Sequence, residues 1–597
     1  MFSSFISNLQ TKEEVLKETD PFQLPIEYLD PKEKHSLNEV VATDLELSSS
    51  MDTEEKKVQT MYHYMMKPKT PFEENMIAKW KNTYTTNVGF LEETQDILRE
   101  MKNYQKSLYT PEYDNLMRIW SDTKEDPNFL ERYSYMEFDM FKWMNKQPSF
   151  LQSISIVNMG SPILSFLIPF VLFFLPFFIV KAQGHAITFS MYMQVLKEIS
   201  RNHFIGKIIS NAENMNPENI LYMFALIGLY AYQIYQNYIA CIRFYENIRR
   251  MNTQICELQS YLESNILRMT TFSSIIQSKK SYAPFSSVLK EQISQLESLR
   301  THIKEIRPFE PSFYKIGEIG SLLGCYYEIY SNKDYGSALL YSFSFQGYIE
   351  NMIEIANNIQ VGRLGLASFV KSVDISGNPL VIKDQFYPAL VNESYVTNDA
   401  ILEKNMVITG PNAAGKTTYL KTTMLNIIFT QQFGCGFYSA CSMKPYTHIH
   451  SYLNIPDTSG RDSLFQAESR RCKEIICDVI STDAVDSRHF CIFDELYSGT
   501  NPAEATKSAY AFLLWLSDRS NVDFILTTHY VDICSKFNKS KTRIANWKMD
   551  AKETEEGDIE YSYKIVEGIS SIQGAVKVLR DMDYPKDIID SIVSYDT

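Results

Sequence analysis

The nine cysteines of this 597-residue chain include no Cys-x-x-Cys pair and none of the spacings that hold zinc. That excludes a small metal-held finger or ribbon. The odd count and the scatter speak against a disulfide framework, so they read as reduced intracellular thiols, mostly small buried hydrophobes. A basic excess is missing too. Lys and Arg number 58 against 72 Asp and Glu, a formal net charge of -14. The overall balance therefore lends no support to a non-specific grip on nucleic acid. The start, Met1-Phe2-Ser3-Ser4, lacks a charged stretch leading into an apolar run, so no cleavable signal peptide is expected. No internal repeat is found. Aromatic residues, by contrast, make up 13% of the chain, which suits a well-packed or membrane-associated protein better than a disordered one. The length allows two or more domains.

Composition divides the chain into four consecutive segments. Residues 1–150 are polar and mostly helical in pattern, as at 88–102, with irregular stretches in the first 60 and acidic and Ser-rich patches at 44–55. Residues 151–245 contain two apolar runs. The first, about 162–180, has no charged residue and is long enough to cross a bilayer at about 1.5 Å per residue. Pro169 and Pro176 lie inside it, which membrane helices tolerate. The second, about 220–240, is interrupted by Gln233, Gln236 and Asn237, and Tyr222, Tyr230, Tyr232 and Tyr235 fit an interface belt. A transmembrane helix pair is the expectation, and a buried pair in a soluble protein is the alternative. Flanking Lys and Arg do not set the orientation. Residues 246–370 read as long helices, with Ile255, Leu258, Leu262 and Ile266 and then Leu289, Ile293, Leu296 and Leu299 at helical spacing.

The fourth segment, 371–597, carries the chemistry. Met406-Val407-Ile408-Thr409 reads as a buried strand. Gly410-Pro411-Asn412-Ala413-Ala414-Gly415-Lys416-Thr417 follows at once, and a helix follows that. This is G-x-x-x-x-G-K-T in the context a phosphate-binding loop requires. Glycines let the backbone approach, and loop N–H groups and the helix N-terminus face phosphate oxygens. Lys416 would reach the β- and γ-phosphates of ATP, and Thr417 would offer its hydroxyl to Mg²⁺. Thr418 continues the loop into the helix. Phe490-Cys491-Ile492-Phe493 is the next strand expected, ending in Asp494-Glu495. Asp494 would hold Mg²⁺, and Glu495 would act as general base toward water. A third strand ends at His529, placed to contact the γ-phosphate or the water. For an isolated histidine there, a structural role is the alternative.

The wording and order of these segments resemble the MutS family. TGPNAAGKTTYL (409–420), QFGCGFYSA (432–440), DTSGRDSLFQAE (457–468), DELYSGTNP (494–502) and TTHY (527–530) are similar to the family's consecutive ATPase segments, and the tail with Gly568 and Gly574 is similar to its closing segment. The resemblance covers about 375–597. It implies an α/β P-loop NTPase domain of the ABC type, ATP with Mg²⁺, and a homodimer with two composite ATP sites. In it, Ser463 would touch the γ-phosphate bound to the other subunit, and it is also a good helix N-cap. Tyr395 would stack on adenine and Tyr563 pack opposite, with a core role the alternative for both. Ala414 stands where the family usually has Gly. Arg461 and Asp462 disturb its usual signature glycine, and Leu464 replaces a Thr.

Upstream, the resemblance fails. Phe244-Tyr245-Glu246 is the best match to the family's Phe-x-Glu mismatch wedge, but it lacks the preceding Gly and lies on an expected helix. The sequence therefore predicts a C-terminal α/β ATPase preceded by a mainly helical region. Three functions follow: ATP-dependent DNA binding in mismatch repair or related processing, a membrane-tethered mechanoenzyme or scaffold that binds no DNA, and, last, a transporter ATPase. The expected location is intracellular, anchored in a lipid membrane, with the ATPase domain facing the cytoplasm.

Overall fold

The computed structural model describes residues 20–48, 59–101, 104, 113–182, 184, 188–200, 207, 217–310, 312–370, 380–391, 395–453, 455, 463–482, 487–539, 542–554, 559–570, 572, 579–580, 582 and 584–595. Arg461, Asp462 and Gly574 lie outside the described residues. The chain forms two compact units, one from 1–106, 269–291 and 340–597, the other from 107–268 and 292–339. These units do not follow the four consecutive segments read from composition.

The first unit is built on a six-stranded sheet. Its strands are β1 (Asn405–Thr409), β2 (His448–Tyr452), β3 (His489–Asp494), β4 (Val522–Thr527), β5 (Ile544–Glu553) and β6 (Ile559–Glu567), in the spatial order β6-β5-β1-β4-β3-β2. The first five are parallel, and β6 returns antiparallel on β5. β1 and β4 are buried at every position and β3 at all but its last. Continuous apolar runs of this kind suit parallel strands covered on both faces. The helices are α1 (Lys416–Phe433), α2 (Leu464–Ser481), α3 (Pro502–Ser517) and α4 (Val531–Lys539). Phe493, Phe524 and Leu526 of the sheet pack with Phe512 and Leu513 of α3 and Ile475 of α2 in one core. A five-stranded sheet, containing Leu380–Gln385 and Asn398–Leu402, completes the domain.

From Thr422 to its end, every residue of α1 is buried. A helix without a solvent face must be wrapped, and the N-terminal segment supplies wrapping. Gln432 donates to the carbonyls of Trp80 (2.8 Å) and Thr83 (2.9 Å) and accepts from the Tyr62 hydroxyl (2.9 Å). Gln95 donates to Gly434 O at 2.7 Å, just past the helix end. This is why the described residues up to 101 belong to the first unit.

The second unit is helical. It includes Pro148–Ala182, Phe189–Ser200 and most of Pro217–Ile276. Its core holds the Asp122 carboxylate, bonded to the Arg250 guanidinium and to Gln254 Nε2 at 2.7 Å. Phe129 stacks on Tyr330 with centroids 4.1 Å apart. Among the described residues one helix is long and apolar enough to cross a membrane by length and composition, over Pro148–Val171. By that measure the second of the two expected spans is not found among the described residues. The second run continues into a 60-residue helix, and Gln233, Gln236 and Asn237 dilute it.

Candidate functional site

The site forms where β1, β3 and β4 end on the same edge of the sheet. In a parallel α/β sheet, that edge is where the loops leave room for a ligand. The chain turns from β1 into α1 through residues 410–415. Ala413 and Gly415 both have positive φ, 61° and 90°. The Gly415 value lies beyond what a side chain adopts without strain. A β-carbon on Gly410 would press on Met549 Cβ at 3.0 Å. The loop is thus a tight backbone cradle at a helix N-terminus, a shape able to hold a phosphate group.

Lys416 is buried, and its ammonium donates to Gly410 O (2.9 Å) and Pro411 O (3.0 Å). Burial lowers its pKa, while Glu495 and Asp494 oppose that shift. Thr417 Oγ1 donates to Asp494 Oδ2 at 2.8 Å, and the Thr527 hydroxyl donates to Asp494 Oδ1. The second bond follows from register, since Asp494 and Thr527 are partners across β3 and β4. A hydroxyl and a carboxylate so placed, beside a phosphate cradle, form a donor set that fits Mg²⁺.

Glu495 sits at φ 50°, and its N–H donates to Thr527 O at 3.1 Å. Its Oε1 lies 2.9 Å from His529 Nε2. Hydrogen bonding to His529 lowers the Glu495 pKa most, burial opposes that shift, and the charges of His529 and Lys416 lower it further. Lys416 Nζ also approaches His529 Nε2, at 3.3 Å. That nitrogen can donate to Glu495 or accept from Lys416, not both at once. The histidine therefore joins loop and carboxylate by an exchangeable contact.

A cavity of about 690 Å³ opens on this edge. Asn412, Gly415, Lys416, Thr417, Thr418 and Glu495 line it, as do Tyr395 and Tyr563. Tyr395 packs on Phe386 with ring centroids 4.7 Å apart. Tyr563, at φ 53°, would lie 3.4 Å from a β-carbon on Gly415. Gly410, Asp494 and His529 stand just behind the lining, through the bonds given above. Ser463 is not in the lining. It caps α2 with a reciprocal pair, Ser463 N to Gln466 Oε1 at 2.9 Å and Gln466 N to Ser463 Oγ at 3.4 Å.

Sequence reasoning gave no role to Glu468. Its buried carboxylate accepts from Ser498 N (2.9 Å), Ser498 Oγ (2.9 Å) and Gly499 N (3.2 Å). It ties α2 to the loop that follows Glu495. Gly499 is needed there, because a β-carbon would meet Leu464 Cβ at 2.8 Å. The signal was present, as Glu468 ends the DTSGRDSLFQAE segment. Thr527 was likewise read only as a strand residue.

Residues 406–595 match the family description MutS domain V. The DNA mismatch repair protein MutS of Bacillus cytotoxicus is 28% identical over 231 residues, which cover 37% of this chain and 25% of that protein. The protein of the same name from Clostridium tetani is 27% identical over 236 residues, 37% of this chain and 26% of that one. The match thus spans about a quarter of the length of these relatives. Over this C-terminal region the chain is similar to the MutS family, at a divergent level of identity.

Proposed function

We propose that the first unit binds ATP with Mg²⁺ and hydrolyses it. The observation that carries this reading is the convergence of Lys416, Thr417, Asp494 and Glu495 on one phosphate-sized cradle. Loop N–H groups and the Lys416 ammonium would hold the phosphates. Thr417 and Asp494 would hold Mg²⁺, which neutralises phosphate charge when bound. Glu495, kept anionic by His529 and Lys416, would take the proton of the attacking water. Tyr395 and Tyr563 offer ring faces for the base. By family resemblance, ATP would close a homodimer in which Ser463 completes the partner's site, and hydrolysis would reopen it. ATP-dependent DNA binding is proposed from what the relatives are called. The test is ATP turnover with and without duplex, mismatched and branched DNA. A several-fold rise with one form supports DNA processing and identifies the substrate. An unchanged rate and no DNA binding reject it.

A second reading is a membrane-tethered ATPase that binds no DNA. The second unit's apolar surface favours it. Residues 159–180 span about 33 Å at 1.5 Å per residue, close to a bilayer's hydrocarbon core of about 30 Å. Phe170, Phe174 and Phe178 are exposed there, as are Leu221, Phe224 and Leu229 on the neighbouring helix. The prolines add a second argument. Pro169 cannot donate to Ser165 O, and the Tyr230 hydroxyl does so instead. Pro162 leaves Asn158 O, which accepts from Ser161 Oγ at 3.0 Å. Asn237 Nδ2 donates to Ser165 Oγ at 2.6 Å. In water such carbonyls need no protein donor; in lipid they do. On this reading the protein is intracellular and anchored with its ATPase domain facing the cytoplasm, where ATP is. Flotation with phosphatidylcholine vesicles tests it, and a protein that stays at the bottom of the gradient rejects it.

A further inference from the structure

The second unit contains a cavity, outside the ATP chemistry, at one end of the apolar hairpin formed by the helices Pro148–Ala182 and Pro217–Ile276. It measures about 360 Å³ and is lined chiefly by Met159, Phe244, Ile248, Phe309, Ile316 and Ile319. At roughly the 30 Å³ of a liquid water molecule, it has room for about a dozen small groups. Most of its wall is apolar, so water finds few hydrogen-bond partners along it.

Its position indicates what could fill it. Met159 and Phe244 belong to the two helices that carry the exposed apolar surface, and Cys241 Sγ donates to Met159 O at 3.5 Å, joining them at this level. Ile156 and Val157 are exposed beside Met159, and Ile242 and Tyr245 beside Phe244. Arg243 is the first charged residue after the second apolar run. The cavity therefore sits where the apolar surface meets the polar body, which on the membrane-tethered reading is the level of a bilayer's headgroups. Tyr245 forms one wall edge-on to Phe309, with centroids 5.7 Å apart. Ile316 stands at the rim, 37% exposed.

We propose that this cavity takes one acyl chain of a bilayer phospholipid, a proposal that rests on the membrane-tethered reading. Its polar lining argues for a chain whose headgroup stays outside. The Lys315 ammonium is already bonded to Glu318 Oε2 (2.7 Å) and Arg307 O (2.6 Å). Glu310 also lines the cavity and would repel the carboxylate of a free fatty acid. An acyl chain entering from the bilayer needs no charge partner inside, and its apolar body matches the walls.

The experiment uses the full chain in phosphatidylcholine nanodiscs doped with a phospholipid bearing a photoreactive diazirine on one acyl chain. A second arm adds a diazirine fatty acid instead. Labelled peptides are mapped by mass spectrometry for the wild type, for Ile248→Trp, which fills the cavity, and for Ile316→Trp, a milder block at the rim. The expected result is labelling at Phe309, Ile316 or Ile319 from the phospholipid, reduced at least about fivefold in both variants while hairpin labelling persists. Labelling confined to the hairpin overturns the cavity proposal and leaves the membrane reading intact. Stronger cavity labelling by the fatty acid than by the phospholipid overturns the choice of ligand. A chain that neither enters nanodiscs nor is labelled anywhere removes both readings.

Discussion

Replacing Glu468 with glutamine keeps the side chain's shape and removes its charge. The carboxylate accepts three hydrogen bonds from Ser498 and Gly499. Glutamine has one acceptor oxygen, which can keep the two bonds to Ser498. Its amide nitrogen would then face the Gly499 N–H, donor against donor, and leave that group unpaired. An unsatisfied buried donor costs about 1–3 kcal/mol, and a hydrogen bond to a charged group contributes about 1.5–3 kcal/mol. A loss of about 2–4 kcal/mol in holding this loop is the reasonable range. At about 1.4 kcal/mol per tenfold, amide exchange over 496–501 should quicken about 30- to 1,000-fold. Because Glu495 leads into the same loop, ATP turnover should fall while nucleotide binding stays near wild type. The assay is hydrogen–deuterium exchange of that peptide, paired with single-turnover hydrolysis. Unchanged exchange would refute the idea that Glu468 holds the loop. Faster exchange with unchanged hydrolysis would refute its link to Glu495.

Two other changes probe the same unit. Gly415→Ala places a β-carbon at φ 90° and 3.4 Å from Tyr563 Cδ1, so strain of about 1–2 kcal/mol is expected, with ATP affinity reduced about tenfold or more by equilibrium titration. Stability should also fall with acid below pH 6.5. His450 and His489 are buried on adjacent strands, with His450 Nε2 3.1 Å from His489 Nδ1, and burial holds their pKa values at about 3 and about 4. His448 stacks on His489 and on His450, and Asp478 lies 3.9 Å from His450 Nδ1. Unfolded, each imidazole takes a proton near pH 6.5; folded, it stays neutral until far lower pH. The stability these groups contribute is thus present above pH 6.5 and declines as pH drops toward 4, by up to about 1.4 kcal/mol per pH unit for each histidine. Melting temperatures between pH 7.5 and 4.5 check it, and a flat profile counts against the buried neutral stack.

The C-terminal segment was legible because its chemistry is local in sequence. Met406 to Thr417 specify strand, turn and helix within a dozen residues, and Asp494 and Glu495 close an apolar run whose end must face the same edge. What joins distant segments was not legible. Gln431 and Gln432 are of a polar type found mostly at the surface, yet they are buried and bind the carbonyls of Thr85, Trp80 and Thr83 from the N-terminal segment. No periodicity announces that α1 lacks a solvent face. The second apolar run gave a mixed signal for a physical reason: its polar residues include Asn237 and Tyr230, which serve Ser165 on the neighbouring helix. A composition scan counts Asn237 as an interruption, whereas the structure gives it a partner.

The most direct test of the central claim compares ATP binding and turnover, with Mg²⁺, in the wild type and in Glu495→Ala. The account predicts that the variant binds ATP with affinity close to wild type and loses most of its hydrolysis, by about a hundredfold or more. Hydrolysis at the wild-type rate in Glu495→Ala would contradict the assignment of the base. No ATP binding by either protein would contradict the site itself.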